Sequence, residues 1–424
     1  MKYDIIIAGA GAAGLMAMKE LTGAGYSVCC LEAAANAGGR IATIRKDELN
    51  ECFEAGAEFI HGDLPLTLQL LNEAGISYTA TDGEMISVKK GMWHDDEEHD
   101  THWPQFISQL KKIREDMTIR SFLEKHFASS EFADLRRDVQ QFAEGFDLAD
   151  ISKASLLSLG EEWQHMNERQ YRIDDGYGKL INYLAEKCEQ ANGTFFFNAC
   201  VTKIDHKKDH VVAHTLTGDA YTASKIIVTA SAGVLQAGTI RFEPELPVYT
   251  HAVQQLGFGS VIKFLLYFKT RFWKDHPVPI GFLLSDEEIP TWWTQLPIQN
   301  NLLTGWLGGP IAAARSNEND ESLLSSALLS LSHIFHRPLA DLRTDLVFHQ
   351  IICWHSDPFI KGGYSYETVE SAEAKKVLLR PVNDTIYFAG EAIYDGDLQG
   401  TVEAALQSGK SVADFIKTAQ VEKA

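Results

Sequence analysis

The feature that most constrains this chain lies in its first 32 residues. An apolar run, Tyr3 to Ala8, leads directly into Gly9-Ala10-Gly11-Ala12-Ala13-Gly14 and then into a helical stretch through Leu21. A second apolar run, Ser27 to Leu31, ends at Glu32. Runs this short and this apolar suit parallel strands buried on both faces. Strand, glycine turn, helix and second strand make a βαβ opening. In that setting a GxGxxG pattern has a mechanism. Gly9 permits the tight turn, Gly11 lets backbone approach a pyrophosphate, and Gly14 lets helix and strand pack closely. The helix N-terminus, at Ala13, then offers unpaired N–H groups to phosphates. A carboxylate at Glu32 accepts hydrogen bonds from ribose hydroxyls and repels a 2′-phosphate. The competing reading is a glycine-rich turn in some other α/β protein. Strand, glycines, helix and acid, all in place, weigh against it.

A chain of 424 residues is too long for one compact core, so two domains are expected. Residues from about Pro65 to Tyr171 read as mostly helical, with charged faces. Leu180 to Glu189 reads as a helix and Thr194 to Ala230 as alternating strands. Leu256 to His355 mixes strands with a helix near Ser322 to Phe335. The end of the chain returns to strand (Thr385 to Phe388), glycine turn and helix (Thr401 to Ile416). The pattern predicts that cofactor-binding and substrate-binding segments alternate along the chain.

Bulk properties narrow the partners. The net charge of −20 suits neither a nucleic-acid backbone nor an anionic membrane. It could attract a cationic substrate, but acidity is also an ordinary route to solubility. Cys29, Cys30, Cys52, Cys188, Cys200 and Cys353 form no CxxC pair, which fits a reduced compartment and core packing. No apolar stretch reaches the roughly 18 residues of a membrane span, and Met1 runs straight into a strand pattern without a signal-like segment. A cytoplasmic protein is expected. The patch Asp95, Asp96, Glu97, Glu98, flanked by His94 and His99, could be a metal site, but a solvated loop accounts for it as well. No metal is expected.

Gly38-Gly39-Arg40 follows Glu32 closely. Its glycines allow close backbone approach, and the guanidinium can pair with pyrophosphate. A GG–Arg at this place separates FAD proteins from most NAD dehydrogenases. From here the chain resembles the flavin-containing amine oxidase family, which includes monoamine oxidases, polyamine oxidases and flavin-dependent histone demethylases. Ala55 to Gly62 is similar to the family's GA-x-x-hydrophobic-HG segment. Ile226 to Gln236 with Phe242 to Pro247, and Gly257 to Lys263, resemble two further stretches. Phe388-Ala389-Gly390-Glu391 with Gly400-Thr401-Val402-Glu403-Ala404-Ala405 and Ser408-Gly409 resembles the C-terminal FAD signature. These occur in family order across nearly the whole chain. Ser231 departs from the pattern, standing where the family usually has proline.

The resemblance implies an α/β fold: a Rossmann-like FAD-binding domain (residues 1–75, 176–245 and 365–424) with an interleaved α+β substrate-binding domain (76–175 and 246–364). It implies that Glu391 accepts a hydrogen bond from the flavin ribityl chain, and that Thr401 and Val402 present a helix N-terminus to the flavin N1–O2 edge. Val201 either reaches the adenine with its backbone or is ordinary strand packing. The family's covalent-flavin cysteine falls at Gly363, so the FAD is expected to be non-covalent.

Lys263 lies in the apolar run Val261 to Phe268. By alternation alone it could be an outward strand residue. The resemblance makes it the lysine that holds a water near flavin N5. Trp354 and Tyr364 match aromatic positions of the family's substrate cage, and the second cage aromatic falls at Thr401, so the cage is half-built. His61 points to the polyamine-type enzymes, although a lone histidine can be structural. The implied function is oxidation of a mono- or polyamine, with small-molecule amine and O₂ as partners and hydrogen peroxide as a product. An L-amino-acid oxidase is the main alternative. It needs a pocket arginine to clamp the carboxylate, with Arg169, Arg172 and Arg315 as candidates. Lys263 and the FAGE–GTV ending argue against carotenoid or porphyrinogen desaturases, and Lys263 with Tyr364 against a non-enzymatic scaffold.

Overall fold

The computed structural model describes residues 2–94, 101–163 and 169–421. The chain divides into two compact units. One comprises Met1–Tyr78, Arg172–Phe258 and Asp357–Ala424, the other Thr79–Tyr171 and Gly259–Ser356.

The first unit is built on an eight-stranded sheet. Its centre is β1 (Lys2–Ala8), parallel to β2 (Val28–Leu31) on one side and to Ala220–Val228 on the other. Ile5, Ile6 and Ile7 are all buried, as a central parallel strand covered on both faces requires. Thr194–Phe196 extends the sheet beyond β2. On the other side Ala220–Val228 pairs antiparallel with His210–Thr215 through its first half, and parallel with Ile386–Phe388 through its second. The end of the chain thereby enters the sheet that the beginning started. Helix α1 (Ala12–Gly23) packs on the C-terminal helix, Val402–Val421. The two backbones come so close that a Cβ on Gly409 would lie 2.1 Å from the Ala13 carbonyl oxygen.

The second unit holds a seven-stranded sheet in the order Leu346–Cys353, Val261–Phe268, Leu302–Gly308, Thr291–Trp293, Ile280–Ser285, Glu84–Lys89, Met92–His94. Alternation gives it two different faces. Ile262, Phe264, Leu266, Leu303, Leu307, Trp292 and Leu283 point into a core closed by Leu324, Leu328 and Leu331 of the helix Asp320–Ile334. Lys263, Trp306, Trp293 and Phe282 occupy the opposite face, as the strand registers show.

The expectation of a mostly helical stretch from Pro65 to Tyr171 is corrected at Glu84–Lys89 and Met92–His94, which are strands of this sheet. Glu84–Lys89 pairs in parallel with Ile280–Ser285, about two hundred residues further along the chain. Helices do occupy Trp103–Leu110, Ile119–His126, Ala133–Gly145 and Leu156–Glu162. The acidic patch 95–98 and His99 lie outside the described residues. Among the described residues no cluster of His, Cys, Asp and Glu could hold a metal, and no helix is long and apolar enough to cross a membrane.

Candidate active site

The glycine turn between β1 and α1 shows which of its glycines packing demands. A Cβ on Gly14 would fall 2.0 Å from the Gly9 carbonyl oxygen, so only glycine lets the helix sit on the turn. Gly9 has φ +117°, a backbone conformation that L side chains rarely adopt. Gly11 differs: a Cβ there would meet no protein atom within 4 Å. Packing therefore does not require glycine at 11. Gly11 is the N-cap of α1 and offers no side-chain cap. The N–H groups at Ala12, Ala13 and Gly14 start a helix with no acidic residue in its own first turn.

Glu32 follows β2 and is 7% exposed. Its carboxylate accepts the Ala10 N–H at 2.6 Å and the Ala34 N–H at 2.8 Å. Burial outweighs these bonds and moves its pKa up from the ordinary carboxylate range. Gly38 joins the same turn, donating its N–H to the Ala10 carbonyl at 2.9 Å. A Cβ on Gly39 would lie 3.7 Å from the Gly11 Cα.

Arg40 is anchored within the unit by one of its guanidinium nitrogens. Its Nη1 donates to Glu391 at 2.6 Å and to the Gly363 carbonyl at 2.8 Å, and its guanidinium lies 5.4 Å from the Phe258 ring centroid. Glu391, 4% exposed, accepts from Arg40 with one oxygen and from the Ser365 N–H and hydroxyl with the other. One ion pair therefore ties the GG–Arg segment, position 363 and the FAGE segment together, which no local pattern announces.

Val201 is buried and begins a strand paired with Thr215, with an irregularity between Val201 and Lys203. Thr401 is the N-cap of the C-terminal helix. Its hydroxyl accepts the Ala404 N–H at 3.1 Å and donates to the Leu398 carbonyl at 2.6 Å, and Val402 is the first helical residue. Tyr364 stands beside the preceding turn, where a Cβ on Gly400 would lie 3.2 Å from its Cδ2. His61 is half-buried in the same unit, its ring centroid 5.9 Å from that of Phe59. Loss of hydration lowers its pKa to about 4.

Lys263 and Trp354 belong to the second unit. Lys263 is 1% exposed, which excludes the outward-facing reading. In register it lies between Trp306 and Ile352 of the neighbouring strands. Its Nζ is 5.4 Å from the centroid of the Trp293 ring. The Trp293 and Trp306 rings are 5.8 Å apart, and Trp306 Nε1 is fixed by the Gly145 carbonyl at 2.8 Å. Trp354 comes directly after the edge strand Leu346–Cys353, two residues beyond Ile352.

The family model for flavin-containing amine oxidoreductases matches residues 12–416. The chain belongs to that family. It is 24% identical over 99% of its length to lysine-specific histone demethylase 1 homolog 3 of Arabidopsis thaliana, of which it spans 30%. It is 27% identical over 97% of its length to polyamine oxidase 4 of Oryza sativa subsp. japonica, of which it spans 88%. A putrescine oxidase solved with putrescine bound shares the fold over 99% of both chains, with a TM-score of 0.83 at 19% identity.

Family membership gives the departures a setting. Ser231, where the family usually has proline, is the N-cap of a short helix. Its hydroxyl accepts the Val234 N–H at 3.2 Å and donates to the Ile360 carbonyl. Serine thus replaces a conformational constraint with hydrogen bonds. The aromatic pair Trp293 and Trp306 beside Lys263 was not singled out from the sequence. Its signal was present in Thr291-Trp292-Trp293, where strand alternation sends one indole to the core and the next to the lysine face.

Proposed function

We propose that this protein is an FAD-dependent amine oxidase that binds its FAD non-covalently and uses Lys263 in the oxidation of a mono- or polyamine. The observation that carries this reading is Lys263. Its side chain is 1% exposed in an apolar strand, with Nζ 5.4 Å from the centroid of the Trp293 ring.

In this reading the N–H groups at the start of α1, with Gly11 giving access, hold the pyrophosphate, and Arg40 adds its Nε and Nη2 while Nη1 remains with Glu391. Glu32 takes a ribose hydroxyl, Val201 the adenine through its backbone, and Glu391 the ribityl chain. Thr401 and Val402 present the positive end of the C-terminal helix to the flavin N1–O2 edge. Bound FAD supplies the hydride acceptor that turns an amine into an imine, which water hydrolyses, and O₂ reoxidises the cofactor with formation of hydrogen peroxide. Lys263 binds and orients a water with its three donors. Trp354 and Tyr364 guide the amine with their ring faces. With a pKa near 4, His61 is neutral at pH 7 and does not repel an ammonium ion.

The arginines favour an amine over an amino acid. Arg172 is committed to Glu58 at 2.9 Å and lies 4.5 Å from the Phe59 ring. Arg315 is bound by Glu318 at 2.7 Å and by Glu288. Arg169 is exposed. None of the three is poised as a carboxylate clamp. Thr401, in place of an aromatic residue, leaves room for elongated polyamines or bulky amines. A panel of polyamines, arylalkylamines and amino acids assayed for peroxide tests the reading. The highest kcat/KM is expected with elongated or bulky amines. Highest kcat/KM with small arylalkylamines refutes the pocket argument, and turnover of amino acids alone refutes the amine reading.

A further inference from the structure

Glu403 is a buried acid that the proposed chemistry does not use. It is 0% exposed and sits at the second position of the C-terminal helix. Among the described residues, the backbone N–H groups from which its side chain accepts belong to another helix and not to the first turn of its own. One oxygen accepts the Leu66 N–H at 3.0 Å and Gln407 Nε2 at 2.9 Å, and the other accepts the Thr67 N–H and the Thr67 hydroxyl, both at 2.7 Å. Leu66 and Thr67 lie in the first turn of α2 (Pro65–Ala74), whose N-cap, Leu64, has no side chain able to cap it. Glu403 therefore satisfies two donors that α2 would otherwise leave orphaned inside the protein.

Four donors converge on two oxygens, which suits a carboxylate, an acceptor at both, and not an amide, whose NH2 would face two of them. The residue therefore brings a charge to this place along with its acceptors. The charge is felt nearby: burial first, and then Glu403, raises the pKa of both Tyr177 and Tyr394. It also lies in the first turn of the helix whose N-terminus bears Thr401 and Val402.

We infer that Glu403 is a positioning residue for that helix end: it locks the end to α2, and its charge offsets part of the positive helix terminus, so that the site favours reduced, anionic flavin less strongly than the bare helix would. This rests on the FAD site proposed above.

The test compares FAD-loaded wild type and Glu403→Gln by FAD retention and by the midpoint potential of the bound flavin. Glu403→Gln should keep FAD and raise the affinity for reduced over oxidised flavin at least ~10-fold, a shift of about +30 mV for a two-electron couple. An unchanged or lowered potential overturns the inference, whatever happens to thermal stability. Thr67→Val leaves the charge but removes one of its donors, and so should lower the potential. An unchanged or raised potential in that variant also overturns the inference, including where Glu403→Gln does not fold. A wild-type protein that takes up no FAD defeats the site reading and this inference together, whereas normal FAD binding with unmoved potentials defeats only the inference.

Discussion

Within the run Val261–Phe268, strand alternation alone leaves the direction of Lys263 open. The neighbouring strands decide it by placing Trp306 and Ile352 beside it and Trp293 under its ammonium. Those partners lie tens of residues away, which is why their contact was not legible while the lysine was. Methionine keeps much of the side chain's length but removes the charge and its donors. Lys263→Met should fold and hold FAD, while flavin reduction by amine, reoxidation by O₂, or both slow by at least ~10-fold, about 1.4 kcal/mol in the barrier. Stopped-flow traces of the two half-reactions measure this, and wild-type rates in both would reduce Lys263 to a strand residue. His61 makes a separate prediction. Its folded pKa of about 4 lies below the ordinary 6.5. Protons therefore bind the unfolded chain first. Its contribution to stability is complete above pH 6.5 and is lost as pH falls from there toward 4, by at most about 1.4 kcal/mol per pH unit. In His61→Asn the melting temperature should fall less over that window than in wild type. Parallel curves would mean the ring is not desolvated.

At the scale of elements, the βαβ opening was legible because its signals are local: an apolar run, glycines at fixed offsets, and an acid at the end of the next strand. Glu84–Lys89 was not, because its parallel partner lies almost two hundred residues away, and Met92–His94, paired with it, is only three residues long. The glycine turn allows a clean separation of folding from binding. Gly14→Ala puts a Cβ 2.0 Å from the Gly9 oxygen and should sharply lower the melting temperature of the apoprotein. Gly11→Ala has open space and should leave the apoprotein within about 1 kcal/mol of wild-type stability, yet weaken FAD binding. Equal effects of the two substitutions on apoprotein melting would contradict this division of labour. Thr401 shows the opposite case, in which one side chain has two roles. Replacing it with tyrosine to narrow the pocket also removes the Ala404 cap, at a cost of about 0.5–2 kcal/mol. A substrate shift in that variant therefore has to be read against its stability.

For the whole molecule, the α/β class was legible from the motifs at the two chain ends, which the parallel pairing of Ala220–Val228 with both β1 and Ile386–Phe388 brings into one sheet. The ion pair between Arg40 and Glu391, 351 residues apart, was not, because it exists only once that sheet has formed. Gly363, whose carbonyl that arginine holds, offers no thiol to a flavin, so acid denaturation should release the FAD from the polypeptide. Flavin left on the chain would contradict non-covalent binding. The most direct test of the account is anaerobic mixing of the FAD-loaded protein with a series of amines while the visible flavin band is followed. The account predicts bleaching by at least one amine and recovery of the band when O₂ is admitted. A flavin that no amine bleaches would contradict it.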